Sequence, residues 1–370
     1  MKILIKQFGG KNMSWSCFGW SIAEALKDNN EVHYFSTDGI KHFPESLKSN
    51  LIGYVEENKA QVFGRLPDET YDSQISYTSM KNFPFILSHG NKNRIGIWCY
   101  EWAGKNVIPS GFAKHYKACD YLCPPSEFAK QVFLDSGIPE KSMKVIPHGI
   151  NVSNFKNTDT LDISKRRFKI LANIAQNHMR KNIPGLLDAY GKAFNSKDDV
   201  CLILKAKDRE VTQQFEVSLK GCLKKFYEKY PKHGEVKVFS DFVDDISILY
   251  RSVDCVFTMA HSECFYFPGL EGLAAKKFSI APNWGGQLDF LNESNSLLVS
   301  GKEVMADPRS MYWESKSNAI WFEPNIDDAV EKLRYAYNNF EALNNKIDQE
   351  SILKLYDWKN IAKQYVGLFL

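Results

Sequence analysis

What the chain lacks narrows its function before any motif is read. It has almost no excess charge of one sign: lysine and arginine outnumber aspartate and glutamate by three over 370 residues. A nucleic-acid-binding surface calls for a strongly basic domain, so no nucleic-acid partner is expected and any cationic chemistry must be local. Long apolar runs are missing as well. The longest stretch free of Asp, Glu, Lys and Arg is the twelve residues from Asn12 to Ala23, rich in Ser, Asn and Gly, against the ~20 apolar residues of a spanning helix. Met1 to Lys6 passes directly into a glycine-containing loop with no cleavable apolar region. It reads as a first strand rather than a signal peptide, and a cytoplasmic protein is expected.

Cysteine pairing and metal-binding patterns are also absent. The eight cysteines are scattered without the paired spacing of a secreted disulfide framework. Cys119 and Cys123 are the one close pair, and they lack the two-residue gap and second pair of a zinc knuckle, so buried free thiols are expected. There is no D-x-D triplet and no H-E-x-x-H, and the eight histidines are well separated. No metal ligands are visible, so neither a metal nor a resident cofactor is expected. Gly9, Gly10 and Gly19 follow the first strand without the G-x-G-x-x-G spacing, which weakens a dinucleotide-dehydrogenase reading.

What is present is a globular composition of 44% hydrophobic and 25% charged residues. At roughly 150 residues per domain, the length suggests two or three folding units. Short runs rich in Val, Ile and Phe alternate with helix-period segments, the pattern of parallel sheets wrapped by helices, so both halves are expected to be α/β. Strands are expected at 2–6, 31–36, 84–88, 94–99 and 144–147, with helices near 19–29, 110–117 and 126–136. In the second half, strands are expected near 168–174, 200–205, 235–240, 254–259 and 278–282. Helices there should cover 183–194, 209–229, 245–251, 268–276, 326–340 and 357–369. The apolar rhythm stops from Asn151 to Arg167, where Asn, Asp, Thr, Ser and Lys dominate, so a domain linker is placed there, between domains 1–150 and 166–356. Residues 302–320 read as an irregular surface insertion. In the helix at 209–229, Val211, Phe215, Leu219, Cys222 and Phe226 form one stripe, with Lys220, Lys224, Lys225 and Lys229 facing elsewhere. Those lysines could make peripheral contact with anionic lipid, although a solvated helix face is the more common outcome.

The most informative segment runs from His261 to Asp289 and carries two carboxylates eight positions apart, Glu263 and Glu271. Pro268 prefers the first position of a helix and cannot continue one back through Cys264. Glu263 therefore falls in the loop after a strand, and Glu271 about one turn inside the next helix. Both border a helix N-terminus, whose free N–H groups and positive dipole end favour an anion such as phosphate. A carboxylate there is suited to accept both hydroxyls of a ribose.

Glu263, Phe265, Pro268, Leu270, Glu271 and Ala274 resemble the E-x7-E signature of the retaining GT-B glycosyltransferases of family 4 (group 1), whose usual form is E-G-F-G-x-P-x-x-E-A-x-A. Asn283 to Gln287, Asp289 to Leu291, Trp321 to Pro324, Pro125 to Phe128 and Val145 to Ile150 resemble further segments of that family, in the same order along the chain. The resemblance implies two Rossmann-like domains facing each other across a cleft. The first would bind an acceptor, and a C-terminal helix (357–370) would pack back on it. The second would bind a UDP- or GDP-sugar, and a hexosyl unit would move with retention, without metal, to a glycan, lipid or other hydroxyl acceptor.

Residue by residue, the resemblance implies that Arg180 and Lys181 hold the donor diphosphate and that Glu263 meets the transferred sugar. It implies that Glu271 binds the ribose, with Phe265, Tyr266, Phe267, Pro268 and Gly269 around it. The loop at Val243 would contact the base through its backbone, and Gly19, expected at a helix start, would approach the diphosphate from the facing domain. Glu101, Tyr100 and His89 are acceptor-side candidates. Two loop glycines of the usual signature are here Cys264 and Tyr266, and a third, after the helix, is Lys276. A Cβ at 264 and a phenol at 266 are expected to crowd the donor. A catalytically inactive nucleotide-sugar-binding protein and a nucleotide-sugar epimerase or sugar phosphorylase on the same fold remain open beside the transferase reading.

Overall fold

The computed structural model describes residues 1–10, 14–56, 61–67, 70–87, 90–175, 177–206, 211, 213–241, 243, 245–311 and 318–369. The chain divides into two compact units. The first comprises Met1–Tyr100, Lys105–Asn151 and Lys354–Leu370; the second comprises Glu101–Gly104 and Val152–Leu353.

In the first unit, strands β1 (Lys2–Gln7), β2 (Glu31–Ser36), β3 (Leu51–Val55), β4 (Val62–Gly64), β5 (Ser73–Tyr77), β6 (Arg94–Ile97) and β7 (Tyr121–Leu122) form one sheet. Their order is β4-β3-β2-β1-β5-β6-β7, parallel except where β4 runs antiparallel to β3. Helices α1 (Ser14–Leu26), α2 (Phe83–Ile86), α3 (Ser110–Ala113) and α4 (Glu127–Asp135) accompany the sheet. The continuous run Ile3-Leu4-Ile5 is fully buried, as expected of a central parallel strand covered on both faces. The helix Trp358–Val366 packs on α1: the rings of Phe18 and Trp358 meet edge to face at 5.4 Å, and those of Phe18 and Tyr365 at 6.0 Å.

Several sequence expectations need correction here. The apolar run at 84–88 is not a strand; its described residues open as the short helix α2, because Pro84 suits a first helical turn. The neighbouring strand is instead β5, whose Ser73, Gln74 and Ser76 gave no apolar signal although all five of its residues are buried. Polar side chains satisfy one another around it: Asn91 Nδ2 donates to Gln74 Oε1 at 2.8 Å, and Gln74 Nε2 donates to the Ile86 carbonyl at 2.7 Å. Residues 144–147 form no strand. The first helix starts at Ser14 rather than near Trp20, which puts Gly19 inside α1. A Cβ at Gly19 would meet the Gln7 amide and would lie 2.6 Å from the Tyr34 hydroxyl, so close packing of α1 on the sheet accounts for the glycine.

In the second unit come α5 (Val152–Lys156), β8 (Phe168–Ala175), α6 (Ile183–Ala193), β9 (Val200–Ala206), α7 (Leu219–Lys229), β10 (Glu235–Phe239), α8 (Ser247–Arg251), β11 (Cys255–Phe257), α9 (Phe267–Ala274), β12 (Phe278–Pro282) and β13 (Ser296–Val299). They are followed by the antiparallel pair β14 (Gly301–Met305) and β15 (Ile320–Pro324), then α10 (Ile326–Asn345) and α11 (Gln349–Leu355), after which the helix Trp358–Val366 becomes α12. The six-stranded sheet has the order β10-β9-β8-β11-β12-β13, all parallel. Val200 to Leu204 on β9 are fully buried, and each large aliphatic side chain there contributes about 1.5–3 kcal/mol as an upper estimate.

The expected linker does not hang free: the unit begins at Val152, and the Leu161 amide donates to Ser252 Oγ at 2.7 Å while Arg251 Nε donates to the Asp159 carbonyl at 2.9 Å. The helix expected at 209–229 begins only at Leu219, where Ser218 caps it, and Val211 is exposed rather than part of a buried stripe. Of the lysines on that helix, Lys229 pairs with Asp188, and Lys224 lies 4.0 Å from Glu228. The expected insertion at 302–320 instead carries most of β14 and the start of β15. No helix among the described residues is long and apolar enough to cross a membrane.

A short strap completes the second unit. Residues Glu101–Gly104 belong to it although they follow β6 of the first. Ala103 and Ile320 exchange both backbone hydrogen bonds, at 3.0 and 2.8 Å, and Trp102 is fully buried.

Candidate functional site

The site lies where the strand order reverses. From the central β8 the chain builds outward through β9 and β10, then returns to the other side of β8 with β11 and β12. Loops leaving the carboxyl ends of two adjacent strands diverge at such a point and leave room for a ligand. The loop after β8 carries Arg180 and Lys181, and the loop after β11 carries Glu263.

These residues meet. Glu263 lies 2.9 Å from Arg180 Nη1 through Oε2 and 2.5 Å from Lys181 Nζ through Oε1. Arg180 Nη2 reaches Glu101 Oε1 at 3.4 Å, and Nη1 also donates to the Ser262 carbonyl at 2.6 Å. The Ser262 hydroxyl in turn donates to the Glu101 carbonyl. Two cations and two carboxylates thus form a neutral quartet assembled from three separate loops. Burial pushes the Glu263 carboxyl up, but Arg180 and Lys181 outweigh it and hold the group below the usual carboxylate range. Burial also lowers the Lys181 pKa, with Glu263 acting against it.

Local structure fixes the two cations. The turn Met179–Lys181 is capped by His178, whose Nδ1 accepts the Arg180 amide at 3.0 Å. Burial first, then Arg180 and Lys181, drive the His178 pKa down to about 3, so the ring is neutral. It stacks on Phe215 with centroids 5.0 Å apart. Asn182 takes a left-handed backbone (φ 49°) and caps α6 through Gly185. The His261 amide donates to the Arg180 carbonyl at 2.8 Å, tying the two loops together.

Beyond Glu263 the chain turns into α9. Tyr266 precedes the helix with φ 66°, and Lys276 follows it with φ 59°. Both stand where the resembled signature has glycine, and both keep the backbone conformation that glycine adopts freely. The Tyr266 ring is buried over Gly269, where a Cβ would come within 2.6 Å of it, and its hydroxyl is hydrogen-bonded with Thr258. Cys264 is buried too. Phe265 contacts Phe267 at 5.2 Å and Phe290 at 5.4 Å between centroids, and Pro268 occupies the first turn of α9.

Glu271, eight positions after Glu263, is partly exposed on α9. Burial pushes its carboxyl up to about 7, against a hydrogen bond from the Tyr250 hydroxyl that favours the charged form. That hydroxyl accepts from Asn173 Nδ2 at 2.9 Å. Tyr250, Asn173, His178 and Ser262 carried no motif, and sequence reasoning missed them. The one available signal was position: Asn173 lies near the end of β8, and Ser262 lies beside Glu263.

The remaining candidates fall elsewhere. Val243 is half-buried in the loop after β10. Glu101 belongs to the second unit and to the quartet, whereas its neighbour Tyr100 is buried in the first unit, its ring edge to face with Trp98 at 5.0 Å. Burial in that core leaves Tyr100 poorly suited to touch an acceptor. Gly9 and Gly10 both donate their amides to Asp38 Oδ1, at 2.7 and 2.8 Å. His89 lies outside the described residues.

No family model and no curated protein matches the sequence. Solved structures do match in shape. HepE of Anabaena in complex with UDP superposes with a TM-score of 0.69 at 14% identity, covering 100% of this chain and 99% of that one. Its complex with UDP-glucose gives 0.68 at 17% identity, with the same coverage. A glycosyltransferase of Rickettsia africae ESF-5 gives 0.68 at 16% identity over 100% of this chain and 98% of that one. The chain has the GT-B fold of these glycosyltransferases.

Proposed function

We propose that the chain is a cytoplasmic, retaining glycosyltransferase of the E-x7-E type that moves a hexosyl unit from a nucleotide-diphosphate sugar to a hydroxyl of a glycan or lipid-linked acceptor. The observation that carries this reading is the pairing of Arg180 and Lys181 with Glu263 at the strand-order reversal, with Glu271 one helix turn further on. The complexes of HepE with UDP and UDP-glucose favour a UDP-sugar donor over a GDP-sugar.

In this reading the donor diphosphate takes the place of the carboxylates around Arg180 and Lys181. Two fixed cations then offset the charge that grows on the leaving phosphate, and they do so without reorganising at the moment of bond breaking. Glu263, released from Lys181, turns to the hydroxyls of the transferred sugar. Glu271 accepts the ribose hydroxyls, held in place by Tyr250. Phe265 to Gly269 bracket the diphosphate, and the backbone at Val243 faces the base. Acceptor binding is assigned to the first unit. The acceptor hydroxyl attacks the anomeric carbon on the face the nucleotide leaves, and a departing phosphate oxygen takes its proton, so no protein nucleophile is needed. Positioning and phosphate electrostatics supply the acceleration.

Titration calorimetry against UDP, GDP and ADP, first without metal and then with Mg²⁺, tests the reading. Metal-independent binding of UDP is expected, weakened at least about tenfold by Lys181→Ala or Glu271→Ala. Near-normal nucleotide binding in both variants would remove the site. Binding with neither transfer nor slow donor hydrolysis would move the inactive binding protein ahead.

A further inference from the structure

At the far end of α9 from the quartet, the second unit holds a cavity of about 550 Å³. Four cationic side chains line it: Lys156, Arg251, Lys276 and Lys277. No Asp or Glu is among its described lining residues, and the amides of Asn157 and Asn345 stand beside the cations. We propose that this cavity binds a phosphate monoester or a comparable dianion, at a site separate from the one that takes the nucleotide sugar.

Most buried or half-buried cations of this unit are paired: Lys169 with Asp254 at 3.5 Å, Arg334 with Asp198 at 2.7 Å and Lys332 with Asp328. Arg251 is likewise held, 3.6 Å from Asp245. Lys277 is half-buried and Lys156 and Lys276 are exposed at the cavity mouth. None of the three has a carboxylate within ion-pair distance among the described residues, although Asp254, already paired with Lys169, acts on Lys277 from further off. Like charges brought together around one concave surface repel, and an anion between them removes that cost.

A simpler account is that the lysines complement helix ends. Helices α5, α8, α9 and α10 all finish near the cavity, with Lys156 and Arg251 as the last residues of α5 and α8. A helix C-terminus carries roughly half a negative charge, felt only over its last turn. The five-residue α5 and α8 contribute little, so α9 and α10 supply roughly one negative charge together. Against three unpaired lysines, about two positive charges remain, matching the charge of about −1.5 to −2 on a phosphate monoester. The backbone adds a second observation. Lys276 keeps its ammonium at a left-handed position (φ 59°) that costs a non-glycine residue strain. A residue placed there only to end the helix would serve better as glycine.

The cavity also lies away from the donor machinery. Lys277 immediately precedes β12, at the amino edge of the sheet, whereas Arg180, Lys181 and Glu263 follow the carboxyl ends of β8 and β11. The experiment uses the whole chain and inorganic phosphate as the probe, followed by calorimetry, in the unaltered protein, in the double variant Lys276→Gly with Lys277→Gln, and in Lys181→Ala. Lys276→Gly suits the backbone, so loss of binding would not follow from misfolding; circular dichroism of each variant checks this. The expected result is phosphate binding that survives Lys181→Ala and weakens at least about tenfold in the double variant. Phosphate binding lost in Lys181→Ala, unchanged in the double variant, or absent from the unaltered protein would overturn the proposal, whatever the outcome with UDP.

A second arm separates a free phosphate ester from a lipid headgroup. Sedimentation with phosphatidylcholine vesicles, with and without phosphatidic acid, shows extra binding to the latter if a headgroup is the ligand. Equal sedimentation, beside phosphate binding, assigns the cavity to a soluble ester.

Discussion

The two sheets reverse their strand order in the same way, yet the loops at the two reversal points are built from opposite materials. In the first unit the loop after β1 offers backbone amides: Gly9 and Gly10 both donate to the Asp38 carboxylate. In the second unit the loop after β8 offers side chains, with Arg180 and Lys181 held by Glu263 and Glu101. Each cradle is filled by the protein's own carboxylates, but the first loses two neutral N–H groups to its anion and the second loses two full charges. Doubly wound architecture settles where a ligand can sit. The residues in the loops settle what charge it meets, and among the described residues of the two loops the cations stand in the second unit.

The largest effect expected from breaking this contrast is at Arg180. Arg180→Ala strands Glu263 and Glu101 near one remaining cation in a buried site, and should cost about 3–5 kcal/mol in denaturant unfolding. A loss within experimental error would mean that the quartet is not coupled. Tyr266→Gly relieves a left-handed strain of about 1–2 kcal/mol but deletes a buried ring worth about 3–5, so a net loss of about 1–4 kcal/mol is expected. Stabilisation instead would show that the phenol contributes nothing by packing.

In the first unit, Asp38→Ala leaves the Gly9 and Gly10 amides without their acceptor and should cost about 1–3 kcal/mol. Nucleotide binding should be unchanged in that variant; a parallel loss of binding would erase the distinction between the two loops. The most gradual expectation, spread over a pH range, concerns Glu271, whose carboxyl is raised to about 7 in the folded chain from an unfolded value near 4.5. Between these two values the folded state holds the extra proton, so this group's contribution makes stability fall as pH rises from about 4.5 to 7, by at most about 1.4 kcal/mol per pH unit. Glu271→Gln should flatten that part of the stability profile. Nucleotide binding, which in our reading uses the carboxylate, should strengthen over the same rise in pH.

Much of this was legible in the sequence because it depends on local order. Eight-residue spacing and Pro268 were enough to place Glu263 in a loop and Glu271 inside α9, and apolar runs located nearly all the strands of the second sheet. Strand β5 escaped because its polar side chains are satisfied by Asn91 and the Ile86 carbonyl, partners that only tertiary structure brings near. Gly19 was misplaced because α1 starts earlier than its apolar pattern, and its glycine answers to Gln7 and Tyr34 on distant strands. Glu101 is 79 positions from Arg180 in a chain of 370 residues; no periodicity links the two, and the fold alone joins them. Cys264 and Tyr266, expected from the sequence to crowd a donor, are both buried in the fold.

The strap Glu101–Gly104 bears on how such a chain could have been assembled from parts. A break between Asn151 and Val152 would leave the second half without Trp102, without the partner of Ile320 at the edge of β15, and with Arg180 short of one carboxylate. The halves are therefore not interchangeable cassettes. Recombination that swaps the first half for another must bring a replacement for these four residues, so the second unit carries its inheritance at two separated addresses in the gene.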